Sequence, residues 1–490
     1  MLFRHLVRRI VPAALLMAVF CVCSTRNMAY ATTFVRGADV GWMTQLETLG
    51  FSWEDQTQTQ LSVLQALKNH GVNTIRIRTF VNPTISSTSL GVGALNQADS
   101  IALAKTANSM GFQIMIDFQY SDTWADPSQQ TIPAAWSSYT YSEMETALYN
   151  YTYNFMEALA ADGIFPAYVQ VGNEINSGLL WPTGKYTNLA QMVGLLNSGY
   201  NAVKAVSSST KVVIHLANLS NLSDAEWFFD LIKSYGATWD VSGFSYYDGP
   251  GTLSTITTNL NTIAARYDKP VLICEIGHSN SDYMGTAEDM KTAIEALQAV
   301  PSSMGLGLIY WEPEAPDNST TSNYGLGAVV SATSTLLQFN PAIDQYLFTG
   351  STTGNQIINP QFSSATNGWQ ISTTTPAAVY TKSGGEGTML SLYSASAYSA
   401  TIYQDVTGLP SGTYTMTAYV ENGGGQTTLD MFAEPTGGSE TTVNLPTASS
   451  WTEVQLGNIQ ITEGSAYVGF TVSAKAGNWT NIESVQFVKN

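Results

Sequence analysis

From Thr33 to about Gly350, short runs rich in β-branched and aromatic residues alternate with longer stretches whose apolar positions recur at helical spacing. The short runs predict strands over residues 34–40, 73–80, 113–120, 167–174, 211–217, 241–247, 270–276 and 307–311. Between them, Met144, Leu148, Tyr151, Phe155 and Leu159 form one core-facing helical stripe, and Met290, Ile294 and Leu297 form another. Eight strand-helix units in succession predict an α/β architecture, a (β/α)8 barrel over residues 32–348; a doubly wound open sheet is the other fold this alternation allows.

The pattern changes near FTGSTTG at residues 348–354. Ser, Thr and Gly dominate there, and residues 349–356 read as a linker. Beyond it, alternating runs at 413–419, 427–432, 453–456, 466–472 and 484–488 are separated by Gly, Pro and Asn turns. That spacing predicts an all-β sandwich over residues 357–490, jelly-roll-like in its connections.

The first thirty-one residues stand outside both patterns. Arg4, Arg8 and Arg9 precede an apolar run from Ile10 to Val22, and Ala29-Tyr30-Ala31 supplies a small-residue cleavage site, so residues 1–31 read as a secretory signal peptide. The expected location is extracellular or periplasmic. The full chain has a formal charge of −18; losing Arg4, Arg8, Arg9 and Arg26 with the leader takes it to −22. Such a surface repels nucleic acid, anionic membrane and polyanionic substrates, and leaves a neutral polymer as the fitting partner. Cys21 and Cys23 leave with the leader, so Cys274 cannot form an intrachain disulfide and stability has to come from core burial. Strict strand alternation turns Cys274 away from the cleft, as a packed core residue. The chain is expected to act as a monomer.

Parallel barrels keep their chemistry at the C-terminal tips of the strands, and the polar residues gather there. Glu174 follows the fourth predicted strand and Glu275 ends the seventh. Two carboxyls brought across a cleft, with their pKa values pushed apart, are the equipment for glycoside cleavage. Around them the strand tips carry Asp39, Arg76, Arg78, Asp117, Asn173, His215 and Glu312. Trp42, Trp124, Trp181, Tyr246, Tyr247 and Trp311 supply aromatic faces suited to the C–H faces of sugar rings.

The motifs GADVGWM at 37–43, GVNTIRIRTFVNP at 71–83, DFQYSDTWADPSQQ at 117–130 and VGNEINSGLLWPTG at 171–184 resemble those of the arabinogalactan endo-β-1,4-galactanases, glycoside hydrolase family 53. IHLAN at 214–218, GFSYY at 243–247, KPVLICEIG at 269–277 and LIYWEPE at 308–314 continue the resemblance through the barrel in order. It implies a secreted retaining endo-β-1,4-galactanase acting on the galactan side chains of plant cell-wall pectin, with Glu174 as general acid/base and Glu275 as nucleophile. It further implies that Arg76 or Arg78 keeps Glu275 ionised, that Asn173 bonds the sugar 2-hydroxyl, and that His215 orients a catalytic group or contacts the sugar. Asp117, Trp124, Trp181, Tyr246 and Trp311 complete the expected substrate-binding set. No catalytic metal or organic cofactor is implied.

The sandwich opens with NPQFSSATNGW at 359–369 and closes with NWTNIESVQF at 478–487, ends similar to those of jelly-roll carbohydrate-binding modules. Those modules often hold a structural calcium near their joined termini, where this chain has Glu483. The barrel departs from the family in three places: Gln119 stands where His is usual, Ile276-Gly277-His278-Ser279 follows the nucleophile, and Asp248-Gly249 follows SYY. These departures bear on linkage and sugar preference. Another retaining endo-β-glycanase, on mannan, glucan or xylan, and a non-catalytic polysaccharide-binding barrel are the alternatives.

Overall fold

The computed structural model describes residues 34–490, apart from 55–59, 85–94, 248–252, 281–282, 318–323, 332, 340, 349–354, 361, 363–364, 367 and 385–386. The expected signal peptide, most of the linker and Asp248-Gly249 therefore lie outside the described residues. Eight parallel strands close a barrel: β1 Val35–Asp39, β2 Thr74–Thr79, β3 Gln113–Phe118, β4 Tyr168–Val171, β5 Lys211–Leu216, β6 Val241–Tyr246, β7 Val271–Ile276 and β8 Gly305–Trp311. Each pairs with its chain neighbours and β8 pairs with β1, which rules out the open sheet. Helices α1 Val63–Asn69, α2 Gln97–Ser109, α3 Tyr141–Ala161, α4 Leu189–Val206, α5 Leu222–Ser234, α6 Leu253–Tyr267 and α7 Tyr283–Gln298 return the chain between strands.

Local chemistry starts these helices where the sequence allows. Thr140 and Glu143 form a reciprocal capping box at α3, and Asn96 caps α2. The α3 stripe buries Met144, Leu148, Phe155 and Leu159. After β8 the described residues show no α-helix where one was expected. A 3-10 helix, Pro341–Phe348, takes its place, preceded by strands Val329–Ser331 and Leu336–Phe339. Leu336–Phe339 pairs with Ser52–Glu54 in a small side sheet.

Alternation along the strands sorts the barrel into two cores. Val35, Met115, Tyr168, Val213, Val241, Leu272, Cys274 and Ile309 fill the interior, while the intervening residues pack outward against the helices. One period above the interior layer the residues turn polar: Met115 is followed by Asp117, Tyr168 by Gln170 and Val213 by His215. The site is thus the top layer of the barrel's own packing.

Cys274 belongs to the interior layer, not to the outward face that strict alternation gave it. The register between β6 and β7 shifts after Phe244/Ile273, so Ser245 pairs with Glu275. This irregularity lets Cys274 pack beneath the cleft while Glu275 also reaches it. A Cβ on Gly243 would lie 2.6 Å from the Cys274 sulfur and 2.7 Å from Val213, so glycine is what makes room for the thiol. The cysteine remains a core residue, fully buried.

Among the described residues from 355 on, ten strands build two five-stranded antiparallel sheets, where five strand-like runs were expected. In chain order these are β9 Gln370–Thr373, β10 Val379–Gly384, β11 Gly387–Tyr393, β12 Tyr398–Val406, β13 Gly412–Asn422, β14 Thr428–Pro435, β15 Thr441–Asn444, β16 Ala448–Ile461, β17 Ala466–Ala474 and β18 Trp479–Lys489. Their orders are β9-β12-β17-β14-β15 and β10-β11-β18-β13-β16. Leu390, Leu392, Val420, Phe470 and Ile482 are among the apolar residues of the core between them. Lys291 on α7 donates to the Thr407 hydroxyl at 3.0 Å, beside β12.

Candidate active site

Arg76 on β2 is the electrostatic centre of the top layer. Its guanidinium is fully buried and reaches Asp39 at 2.8 Å, Asp117 at 3.0 Å and Glu275 at 2.9 Å. Nη2 also donates to Gln170 Oε1 at 3.1 Å and to Asn173 Oδ1 at 3.0 Å. A lone buried cation would be prohibitively costly; this one is surrounded by carboxylates whose own burial it offsets. Asp117 accepts from Gln170 and Gln119, each at 2.7 Å. Gln119 in turn takes the backbone N–H of Ala125 at 3.0 Å, so both ends of its amide are engaged.

Glu275 sits on β7 with two donors aimed at it: Arg76 at Oε1 and the Tyr247 hydroxyl at Oε2, 3.1 Å. Burial raises its carboxyl, Arg76 pulls it back toward the ionised form, and Glu174, Asp117 and Asp39 add to the rise. Burial of the phenol end, followed by the Glu275 charge, holds the Tyr247 hydroxyl well above its ordinary value, so it stays protonated and donates to the carboxylate.

Glu174 lies three residues beyond the end of β4. It holds a left-handed φ of 45°, after Gly172 at 84°. A non-glycine residue there carries about 1–3 kcal/mol of strain, the kind found where a side chain must be aimed. Its Oε1 meets Ser245 Oγ at 2.5 Å. Burial raises the carboxyl above the usual range; a hydrogen bond donated by Ser245 would lower it, as the Arg76 charge does, and Asp126 and Asp117 push it up. Asn173 donates to the Ala125 carbonyl at 2.9 Å, and its Oδ1 also meets His215 Nδ1 at 3.0 Å. The far nitrogen of His215 meets Ser245 at 2.9 Å. Burial, then Arg76, keeps the imidazole well below its normal value and therefore neutral.

Arg78 heads a second cluster. It pairs with Asp39 at 2.8 Å and with Glu312, whose carboxylate also accepts the N–H groups of Gly41 at 2.9 Å and Trp42 at 3.0 Å. Three indoles surround its guanidinium, Trp42 at 5.4 Å, Trp124 at 4.9 Å and Trp311 at 5.4 Å. A Cβ on Gly41 would collide with that guanidinium. Burial raises the Glu312 carboxyl to about 7 against the pull of the Arg78 charge, and burial together with Glu312 holds Glu314 well above its ordinary value.

The structure thus brings together Glu174, Glu275, Asn173, Arg76, Asp117 and His215, and sets Arg78, Trp124 and Trp311 beside them. Trp181 stands apart on the loop after β4, half-buried, with Lys185 over its ring at 4.6 Å. Tyr246 is a correction: it is 1% exposed and packs outward in the barrel–helix core, because β6 points its odd-numbered residues inward. Tyr247 takes the cleft position instead. Sequence reasoning passed over Gln170 and Ser245, for which the inward parity of β4 and β6 was the available signal. Glu483 is buried on β18; among the described residues no group of three or more His, Cys, Asp or Glu side chains could hold a metal, and four positions of the 361–367 loop lie outside them.

A parallel barrel with two carboxyls at its strand tips, one gripped by an arginine and a tyrosine and the other by a serine, is the layout of a barrel glycoside hydrolase. The family model described as Glycosyl hydrolase family 53 matches residues 35–358, and the chain belongs to that family. A "Probable arabinogalactan endo-beta-1,4-galactanase A" from Neosartorya fischeri is 33% identical over 318 residues, covering 60% of this chain and 87% of that protein. Among solved structures, the "Ignisphaera aggregans GH53 catalytic domain" is 30% identical with a TM-score of 0.59, covering 65% of this chain and 96% of that one. A chain from the "Structure of two fungal beta-1,4-galactanases" is also 30% identical, with a TM-score of 0.58, over 64% of this chain and 99% of the other.

Proposed function

We propose that this glycosyl hydrolase is a secreted, retaining endo-β-1,4-galactanase that cleaves galactan and type I arabinogalactan. The observation that carries the mechanism is the unequal environment of the two carboxyls. Arg76 and Tyr247 both donate to Glu275, which therefore takes the ionised role, while Glu174 has no cation in hydrogen-bond contact among the described residues and takes the proton. Glu275 attacks the anomeric carbon as Glu174 protonates the departing glycosidic oxygen; the C1–O bond breaks and a glycosyl ester forms on Glu275. Glu174, now ionised, removes a proton from water as the water oxygen attacks C1, and Glu275 is released with the β configuration restored. Asn173 Nδ2 is assigned to the sugar 2-hydroxyl through its second hydrogen.

The galactan assignment rests on the printed names of the relatives and on a net charge that suits a neutral polymer. Secretion rests on the leader-like residues 1–31. The sandwich is read as a polysaccharide-binding module acting through the outer face of its second sheet. Tyr380, Tyr393 and Tyr419 stand exposed there beside a Ser391–Asn481–Glu421 hydrogen-bonded row. A structural calcium in that module, and monomeric behaviour of the whole chain, belong to the same proposal. Reducing-end release from β-1,4-galactan by the wild type, Glu174→Gln and Glu275→Gln tests the function. Activity confined to the wild type supports it. Hydrolysis of mannan, glucan or xylan in place of galactan overturns the substrate, and inertness on every glycan overturns the enzyme.

A further inference from the structure

With the buried His215 imidazole neutral, one arrangement of protons satisfies every contact around Glu174. Arg76 Nη2 lies 3.0 Å from the Asn173 side chain, and a guanidinium cannot accept, so the atom it meets is the amide oxygen. Gln170 Nε2 donates to the same oxygen at 3.0 Å, and the amide nitrogen on the other side finds the Ala125 carbonyl at 2.9 Å. His215 Nδ1, 3.0 Å from that oxygen, must therefore carry a hydrogen. In a neutral imidazole the other nitrogen is then bare, and at 2.9 Å it accepts from the Ser245 hydroxyl. Ser245 has one hydrogen, already given to His215. The 2.5 Å contact between its oxygen and Glu174 Oε1 must use a hydrogen belonging to Glu174.

We propose that Asn173, His215 and Ser245 form a directional hydrogen-bond relay that holds the catalytic proton on Glu174, which makes Ser245 and His215 positioning residues for the acid half of the reaction. The proposal rests on the reading of Glu174 as the general acid. Each partner comes from a different strand or strand tip, β4, β5 and β6, so barrel closure assembles the relay.

Ionising Glu174 reverses the last bond. Ser245 must turn its hydrogen toward the carboxylate, which strips His215 Nε2 of its donor. Moving the ring hydrogen to Nε2 instead would aim the Nδ1 lone pair at an Asn173 oxygen. Either way a buried hydrogen bond is lost, so the relay favours protonated Glu174. The other charged or titratable groups acting on this carboxyl are Arg76 from β2, Asp117 from β3, Asp126 from the loop after β3, Glu275 from β7 and Tyr247 from the end of β6. None of them is altered by changing Ser245 or His215.

The test is the pH dependence of kcat/KM on galactan for Ser245→Ala and His215→Phe, with Glu174→Gln as reference. Breaking the relay removes what favours the protonated acid, so the basic limb moves to lower pH, by about one unit for one hydrogen bond. A serine that merely donates to an ionised Glu174 gives the opposite sign, because its loss would raise the basic limb. A limb that rises or stays in place in whichever variant folds overturns the relay. If Glu174→Gln keeps the wild-type rate on galactan, the acid assignment fails instead, and the two failures are distinct.

Discussion

Replacing Tyr247 by Phe removes one atom, the hydroxyl that donates to Glu275 Oε2 at 3.1 Å, and leaves Arg76 in place on the other oxygen. A hydrogen bond to a charged group is worth about 1.5–3 kcal/mol, and one pKa unit corresponds to about 1.4 kcal/mol. The hydroxyl stabilises only the ionised carboxyl, so its loss raises the pKa of Glu275 by about one to two units. The acidic limb of kcat/KM, which reports ionisation of the nucleophile in the free enzyme, should move up by the same amount. Below that limb the rate falls about tenfold to a hundredfold, and the deficit shrinks toward the alkaline side. Because the two carboxyls interact, the measured limbs belong to the pair, but the direction does not change. Michaelis parameters on soluble galactan across the pH range, with a thermal melt at each pH, provide the assay. A uniform loss of kcat with an unmoved acidic limb would refute the reasoning and make Tyr247 a substrate contact only.

Glu314→Gln should raise the melting temperature at alkaline pH more than at acid pH. The folded carboxyl is held above its unfolded value, so the wild type loses stability as pH rises past the unfolded value, and an uncharged amide is free of that loss. Gln119→Ala should cut kcat/KM by about tenfold or more through misplacement of Asp117 and the Ala125 backbone, whereas Gln119→His should keep most of the rate, as assayed on galactan. Gly243→Ala should cost about 1–3 kcal/mol in a denaturant melt, since its Cβ would press on Cys274 and Val213 inside a closed barrel.

Much of this fold was legible because a barrel strand needs two apolar faces, one for the interior and one for the helices, and each expected strand overlaps its observed one. The site was legible only where side chains announce themselves by charge. Arg76, Asp117 and Glu275 did so, whereas Gln170 and Ser245 are ordinary polar residues until strand parity turns them inward. Choosing between Tyr246 and Tyr247 needed that parity too. Cys274 and Glu275 could not both be placed by alternation, because the register shift between β6 and β7 is a property of the paired strands. The sandwich hid half its strands, since runs such as Thr441–Asn444 carry little apolar signal and gain their order from pairing. The missing helix after β8 reflects the same limit. Pro341–Phe348 covers the barrel in 3-10 form, burying Ala342, Ile343 and Tyr346 at helix-like spacing.

Double displacement through Glu275 is the central claim, and trapping the glycosyl ester tests it most directly. Incubation with an activated 2-deoxy-2-fluoro-β-galactobioside, followed by intact-mass and peptide analysis, should show one added fluoroglycosyl group on Glu275 and recovery of activity when the label turns over. A label on another residue, or none under conditions where the compound is hydrolysed, would contradict the account.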